Sequence, residues 1–378
     1  MKKTITFVII VACFMSVHAQ IRYLPKFVRR MYFSHDSSKH SSFVLLPVLS
    51  SAPETGLEGG AAGLYSFYTD TSGQSTRVSN IFTYATITTK GQNRLSISTN
   101  YYTPQNKYHI SAALSYINFP FDFYGIGNNT RSADADHIGE NRELLKISGE
   151  KLLTKNLYAG LVFGGFNYTF SEASANGIFN TSPQVQSGNG GGSVYIGPSI
   201  TFDNRDNNTY TTKGIIFNAY LDVVQGVLSN NNYNGGILNV EYSHFFALPP
   251  KFVLGIDIQE QSLIGGLSPF YLLPQLGSDE MMRGYYGGRY RDRNFIAAQA
   301  ELRYRASERI GLVGFIGAGE VAHAAFSFSA LKPDIGAGVR YFFDIEKGLS
   351  VRIDYGIGEK PTGEKRESGL YVGLGQAF

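Results

Sequence analysis

The sequence predicts an all-β fold, a transmembrane antiparallel β-barrel of about sixteen strands. Three observations predict it: long segments of alternating polarity, connections that alternate between tight and long, and a composition rich in Gly, Tyr and Phe. The 378 residues include 43 Gly, 25 Tyr and 27 Phe, with no Trp and a single Cys. Glycine at that level disfavours long helices, while Tyr and Phe favour strands and gather at membrane interfaces. Beyond the first residues no apolar run approaches the roughly 20 residues of a spanning helix, so any membrane crossing has to be made by strands.

The chain opens with Lys2 and Lys3, then an apolar core from Ile5 to Val17 that is too short for a permanent anchor. Val17-His18-Ala19 supplies a small-residue cleavage site, so residues 1–19 are predicted to be a signal peptide and Gln20 the mature start. A second reading takes Ile10-Val11-Ala12-Cys13 as a lipoprotein box with an acylated Cys13, for which the preceding apolar run is short. Cys13 is the only cysteine, so the predicted mature chain holds no disulfide, no Cys-ligated zinc and no Cys nucleophile. Removing Lys2 and Lys3 takes Lys+Arg from 33 to 31 against 30 acidic residues. That near-neutral balance argues for no nucleic-acid partner.

Residues 20–41 form a short lead-in that mixes Arg22, Lys26, Arg29 and Arg30 with Tyr23, Phe27, Tyr32 and Phe33. It reads either as a disordered terminus or as a short amphipathic piece at the barrel rim or in the lumen. About twenty residues are too few for a folded domain before the first strand.

From Ser42 to Phe378 the chain reads as strands with turn chemistry between them. In Asn294 to Ala306, Ile296, Ala298, Ala300, Leu302 and Tyr304 share one face, and Gln299, Glu301, Arg303 and Arg305 the other. Lys251 to Ser262 and Leu349 to Ile357 alternate in the same way, the latter with Ser350, Arg352 and Asp354 on its polar face. A soluble sandwich also alternates. Strands of about 10–14 residues, however, suit a tilted crossing, and polar faces crowded with charge suit a watery lumen. Tight connections are expected at Leu153–Asn156, Leu248–Lys251, Ala306–Arg309 and Asp344–Gly348, and long ones at Phe119–Asn141, Ser171–Asn189 and Gly265–Arg293. Such asymmetry is typical of outer-membrane barrels of Gram-negative bacteria. An Arg facing lipid at the midplane costs roughly 2–4 kcal/mol, so Arg303 and Arg352 are expected to face the lumen.

Several motifs carry a family resemblance. Met282-Arg283-Gly284-Tyr285 lies in the longest loop, between the eleventh and twelfth segments. Thr201-Phe202-Asp203-Asn204-Arg205-Asp206 is followed by Thr212-Lys213-Gly214, and the chain closes on Gly373-Leu374-Gly375-Gln376-Ala377-Phe378. Pro53-Glu54-Thr55-Gly56 and Phe119-Pro120-Phe121-Asp122-Phe123-Tyr124-Gly125-Ile126-Gly127 add to them. In order and spacing these resemble the bacterial surface antigen family, the BamA/TamA-like barrels of outer-membrane assembly and translocation.

The resemblance implies a short form without periplasmic docking (POTRA) domains, in which Arg283, Gly284 and Tyr285 are the tip of a loop folded into the lumen. It implies that Arg283 meets an acidic residue on the twelfth strand, Glu301, and an aromatic on the thirteenth, Phe315. Gly317 stands where the family usually has Asp, so half of an acidic clamp is expected to be missing, with the loop held less tightly or by other groups. Asp203, Arg205, Asp206 and Gly214 correspond to the family's periplasmic turn after strand eight, and Thr211 stands in place of its usual Pro. Phe378 corresponds to the terminal aromatic read by the barrel assembly machinery. The seam between first and last strands is implied to lie between Ser42–Leu49 and Gly369–Phe378.

No catalytic constellation is present, and the chain is expected not to be an enzyme. Gly191-Gly192-Ser193 lacks the flanks of a nucleophile elbow, and Gly314, Gly317 and Gly319 sit in a strand with no following helix. His137, near Asp134 and Asp136, is the one candidate for a rim enzyme, and nothing in the sequence orients it. No metal-ligand spacing and no cofactor are implied. The resemblance points to insertion or translocation of polypeptides. Its partners would be outer-membrane lipid, the barrel assembly machinery during biogenesis, and client polypeptides or a separate periplasmic subunit. The alternative is a passive pore or structural surface barrel with a plugged lumen.

Overall fold

The computed structural model describes residues 41–70, 76–171, 173–228, 233–345 and 348–378. The predicted signal peptide and nearly all of the lead-in lie outside the described residues.

Sixteen barrel strands run in chain order among the described residues. The first five are β1 (Ser42–Ala52), β2 (Gly56–Phe67), β3 (Ser79–Thr88), β4 (Asn93–Tyr102) and β5 (Tyr108–Asn118). Then come β6 (Asp136–Thr154), β7 (Leu157–Ser171), β8 (Gly191–Asp203), β9 (Gly214–Leu228) and β10 (Gly235–Leu248). The last six are β11 (Phe252–Ile264), β12 (Asn294–Arg305), β13 (Ile310–Ala322), β14 (Lys332–Asp344), β15 (Leu349–Ile357) and β16 (Ser368–Leu374). Each pairs antiparallel with the next, so the sheet curls into a nearly closed barrel. β1 and β16 stand side by side across the closing seam. No hydrogen-bonded ladder joins them among the described residues.

Alternation decides which face meets lipid. Leu302 and Ile353 are 44% and 48% exposed on the outer wall, whereas Arg303 and Arg352, one residue away from each, are 1% and 2% exposed in the lumen. Register keeps like with like: Leu302 stands opposite Leu254 and Gly314, and Ile353 opposite Val339 and Val372. In water such an apolar belt would be a large exposed patch, and lipid is the solvent it fits.

Both termini of the sheet and the four tight turns expected from the sequence share one end of the barrel, and the three longest loops share the other, together with the short turns after β1 and β3. The tight turns fall where the sequence places them. The connection expected at Phe119–Asn141 is shorter, because β6 starts at Asp136 and runs for 19 residues. Its extension is stabilised by packing: Ile138 is fully buried and pairs with Phe121 in a short added strand, Phe121–Phe123. These residues join Phe179, Phe270 and Tyr271 from the two other long loops in an apolar cap over the loop end. Phe270 sits 4.8 Å from Phe179 and 5.8 Å from Phe123, ring centre to ring centre. The predicted last strand also differs, since β16 ends at Leu374 and leaves Gly375–Phe378 outside it.

Candidate functional site

The longest loop, residues 265–293, turns back into the barrel. A two-residue ladder, Gln275–Leu276 with Tyr290–Arg291, closes it into a hairpin. Its tip buries Leu276, Met281, Met282, Tyr285 and Tyr290 against Phe295, Ala297 and Val321 of the wall. Burying several large apolar side chains, each contributing about 1.5–3 kcal/mol, stabilises the loop in the lumen as a plug.

At the tip Arg283 has no exposed surface. Its Nη2 donates to Glu301 Oε2 at 2.9 Å and its Nη1 to Asp354 Oδ2 at 2.7 Å. The guanidinium lies 3.5 Å from the Phe315 ring centre, a cation–π stack. The structure thus brings together Arg283, Glu301 and Phe315 from the expected strands. The second carboxylate comes from β15 instead of β13. The lattice continues outward: Arg303 Nε donates to Glu301 at 2.8 Å, Arg340 pairs with Asp354, and Arg352 Nη2 reaches Asp279 of the loop at 2.6 Å. A buried arginine needs this many acceptors, because an unpaired ion in a dry site costs several kcal/mol.

Gly284 is required by its backbone. Its φ is +116°, and a Cβ there would stand 2.8 Å from Ile357 N and 2.9 Å from Gly356 C. Its N–H donates to Tyr371 Oη of β16 at 2.8 Å. Tyr285 Oη donates to Pro333 O at 2.6 Å and accepts from Glu359 N at 3.0 Å. Burial pushes the Tyr285 hydroxyl's pKa well above its usual value, so it stays a neutral donor. The three motif residues therefore tie the plug to β12, β14, β15 and β16 and to the connection that follows β15.

The motif after β8 forms a compact turn. Asp203 accepts from Arg205 Nε at 3.0 Å and Nη2 at 2.9 Å, and also from Arg77. Asp206 accepts from the backbone of Thr212 at 2.9 Å and of Lys213 at 3.2 Å, holding the turn's return leg. Gly214 starts β9 at φ +109°, where a Cβ would meet Asn204 O at 2.7 Å. This end of the barrel lies far from the loop cap, and the turn motif does not join the Arg283 cluster.

Phe378 is placed inside the barrel. Alternation along β16 would set it on the lipid face with Leu370 and Leu374, but Gly375 at φ +76° breaks the parity. The Phe378 ring lies 5.8 Å from Phe245 and 5.0 Å from the Arg303 guanidinium, and its carbonyl oxygen accepts from Arg303 Nη2 at 2.7 Å. Gln376 Oε1 accepts from Arg340 Nε at 3.2 Å. Gly375–Phe378 thus contact Arg303 and Arg340, which pair with the same two carboxylates, Glu301 and Asp354, that hold Arg283 of the plug.

His137 pairs with Asp122 at 3.0 Å on an exposed rim. Asp134 is taken by Arg131, and Asp136 accepts backbone N–H groups of Ser174 and Phe179. Among the described residues no group of three or more His, Cys, Asp or Glu could hold a metal. Sequence reasoning did not single out Arg289, which joins Glu364 and Glu367 below the cap. It also placed Asp354 on a polar face without a role.

The Omp85 superfamily domain profile matches residues 83–378. Among solved structures the chain is similar to BamA from Haemophilus ducreyi lacking POTRA domains 1–3. Sequence identity is 11% and the TM-score 0.57, over 89% of this chain and 70% of that one. It is likewise similar to CdiB from Acinetobacter baumannii, at 11% identity and a TM-score of 0.57 over 90% of this chain and 60% of that one. The chain therefore spans less than two thirds of the CdiB chain. No curated protein matches the sequence.

Proposed function

The chain belongs to the Omp85 superfamily, an outer-membrane β-barrel with a plugged lumen, and from that premise we propose that it inserts or translocates polypeptides at the outer membrane without catalysing a covalent reaction. The seam carries this reading. Among the described residues β1 and β16 lie adjacent with no ladder between them, and the backbone groups of a strand edge can pair with an incoming strand by β-augmentation. In a sheet whose other fifteen neighbour pairs are laddered, that seam is the weakest line in the wall. Client polypeptides are the substrates of this reading, and lipid, a periplasmic subunit and the barrel assembly machinery its surroundings.

The test uses purified barrel in lipid vesicles with an unfolded outer-membrane client. Faster client folding, abolished by an engineered disulfide between β1 and β16 and restored by reductant, is the expected result. Unchanged client folding in the unstapled barrel would overturn it.

A second reading, a passive pore, draws support from one observation. A cavity of about 540 Å³ lies in the lumen beside the plug, lined by Lys146, Tyr220, Glu241, Glu260 and Glu280. Large steady conductance without client folding would favour it.

A further inference from the structure

The ion-paired lattice around Arg283 is not balanced by the groups that pair in it. Four arginines, Arg283, Arg303, Arg340 and Arg352, meet three carboxylates, Glu301, Asp354 and Asp279. The Asp279 side chain is 54% exposed, so the buried count is four against two. Excess buried charge is costly, and a protein tolerates it only when an opposite charge lies close by.

Asp334 on β14 is 2% exposed, and neither of its carboxylate oxygens has a hydrogen-bond partner. Register sets Asp334 opposite Gly317, whose other neighbour, Gln299, accepts from Arg283 Nη2 at 3.4 Å, and the Arg283 Nε is itself buried and unpartnered. Asp257, another fully buried carboxylate nearby, accepts from Ser243 Oγ at 2.8 Å and Gln259 Nε2 at 3.0 Å, so it has partners of its own.

The space that Asp334 fills is opened by a glycine. A Cβ at Gly317 of β13 would collide with Asp334 Oδ1. The same pattern recurs around the seat: a Cβ at Gly338 would collide with Asp354 Oδ1, and one at Gly336 with the Phe315 ring. The lumen faces of β13 and β14 are bare where the members of the Arg283 seat stand.

We propose that Asp334 is a positioning residue for the plug. Standing in the room left by Gly317, it supplies from β14 the negative charge that β13 lacks and completes the electrostatic seat of Arg283. Glu301 and Asp354 fix the direction of the guanidinium through hydrogen bonds. Asp334 acts through space, holding the arginine-rich lattice near neutrality so that the plug stays docked. Positions 317 and 334 then behave as one acidic site divided between two strands.

The experiment moves the carboxylate. Full-length barrel carrying D334N, D334G, G317D or D334G/G317D is compared with the parent by single-channel recording and thermal unfolding in detergent. D334N and D334G are expected to raise the plug-open fraction about tenfold, since one lost buried charge interaction shifts the docking equilibrium by about that factor. D334G/G317D is expected to return it to within about twofold of the parent, while G317D alone, with two carboxylates in one space, is not. D222N serves as control, because Asp222 on β9 is also a buried lumen carboxylate with an unpartnered oxygen. It is expected to leave gating unchanged. Parental gating in D334N, or equal gating defects in D334N and D222N, would overturn the proposal. So would a folded D334G/G317D that gates no better than D334G. If the double variant does not fold, the contrast of D334N with D222N decides. Conductance reads plug retention alone, so the outcome is independent of whether the barrel folds clients.

Discussion

The two sides of the lumen are built on opposite principles. Toward β12–β16 the lumen is dry: Arg283, Arg303, Arg340 and Arg352 are each no more than 2% exposed, and each is paired with at least one carboxylate. Toward β5–β11 it is hollow. The cavity of about 540 Å³ shares Lys146, Asn218 and Tyr220 with a second of about 260 Å³. There Lys146 rests on the Tyr220 ring at 3.6 Å, with no carboxylate in salt-bridge contact among the described residues. Polar residues line both sides, so polarity alone does not make a plug seat. What differs is whether each charge is matched by a partner on another element. Matched charges fix a loop in one geometry, whereas unmatched ones stay hydrated and leave a passage.

This contrast is broken most directly by removing the central cation. Arg283→Ala leaves Glu301 and Asp354 buried with fewer partners and should cost about 3–5 kcal/mol of barrel stability. Thermal unfolding in detergent would read it, along with increased conductance as the plug loosens. Next comes Gly284→Ala, which forces a Cβ against the β15 backbone at φ +116°. A loss of about 1–3 kcal/mol is expected in the same assay. Phe378→Ala removes a partly buried ring from Phe245 and Arg303 and should cost about 1–2 kcal/mol. Protease sensitivity of the barrel's last residues should rise with it.

A smaller effect depends on pH. Burial alone would raise Glu364, but hydrogen bonds from Ser132 and Arg289 outweigh it and bring its pKa down to about 2, from an ordinary 4.5. A carboxylate depressed by folding stabilises the folded state fully above its unfolded value, and that contribution is lost as pH falls through its folded one. The tie between the 119–135 and 358–367 connections should therefore hold above about pH 4.5 and weaken progressively toward pH 2. Glu364→Gln should flatten this part of the unfolding profile. On the hollow side Asn218→Ala should change stability by no more than about 0.5 kcal/mol, since nothing is docked there.

Much of this architecture is legible from residue alternation. The polar face holding Glu301, Arg303 and Arg352 can be marked from period-two patterning, and the tight turns from short polar breaks. The Arg283–Glu301 contact follows from a loop motif with a matching acid on strand twelve. Asp354 and Asp334 do not follow. Their roles depend on how deep the plug descends and on the register of β14 and β15, which set Asp354 against Arg283 across 71 residues of sequence. Alternation also misplaces Phe378: carried past Leu374 it sends the ring into lipid, and the inward turn depends on one positive φ at Gly375. Gly317 misleads in another way. A bare position looks like a lost acid until the neighbouring strand is seen to fill it.

The central claim is that the plug is docked by an arginine shared among carboxylates of different strands. A double-mutant cycle on barrel thermal stability, combining Arg283→Ala with Glu301→Gln, tests it most directly. Coupling of at least about 1 kcal/mol is expected for two groups in one buried ion pair. Additive losses, with no coupling beyond about 0.5 kcal/mol, would contradict it.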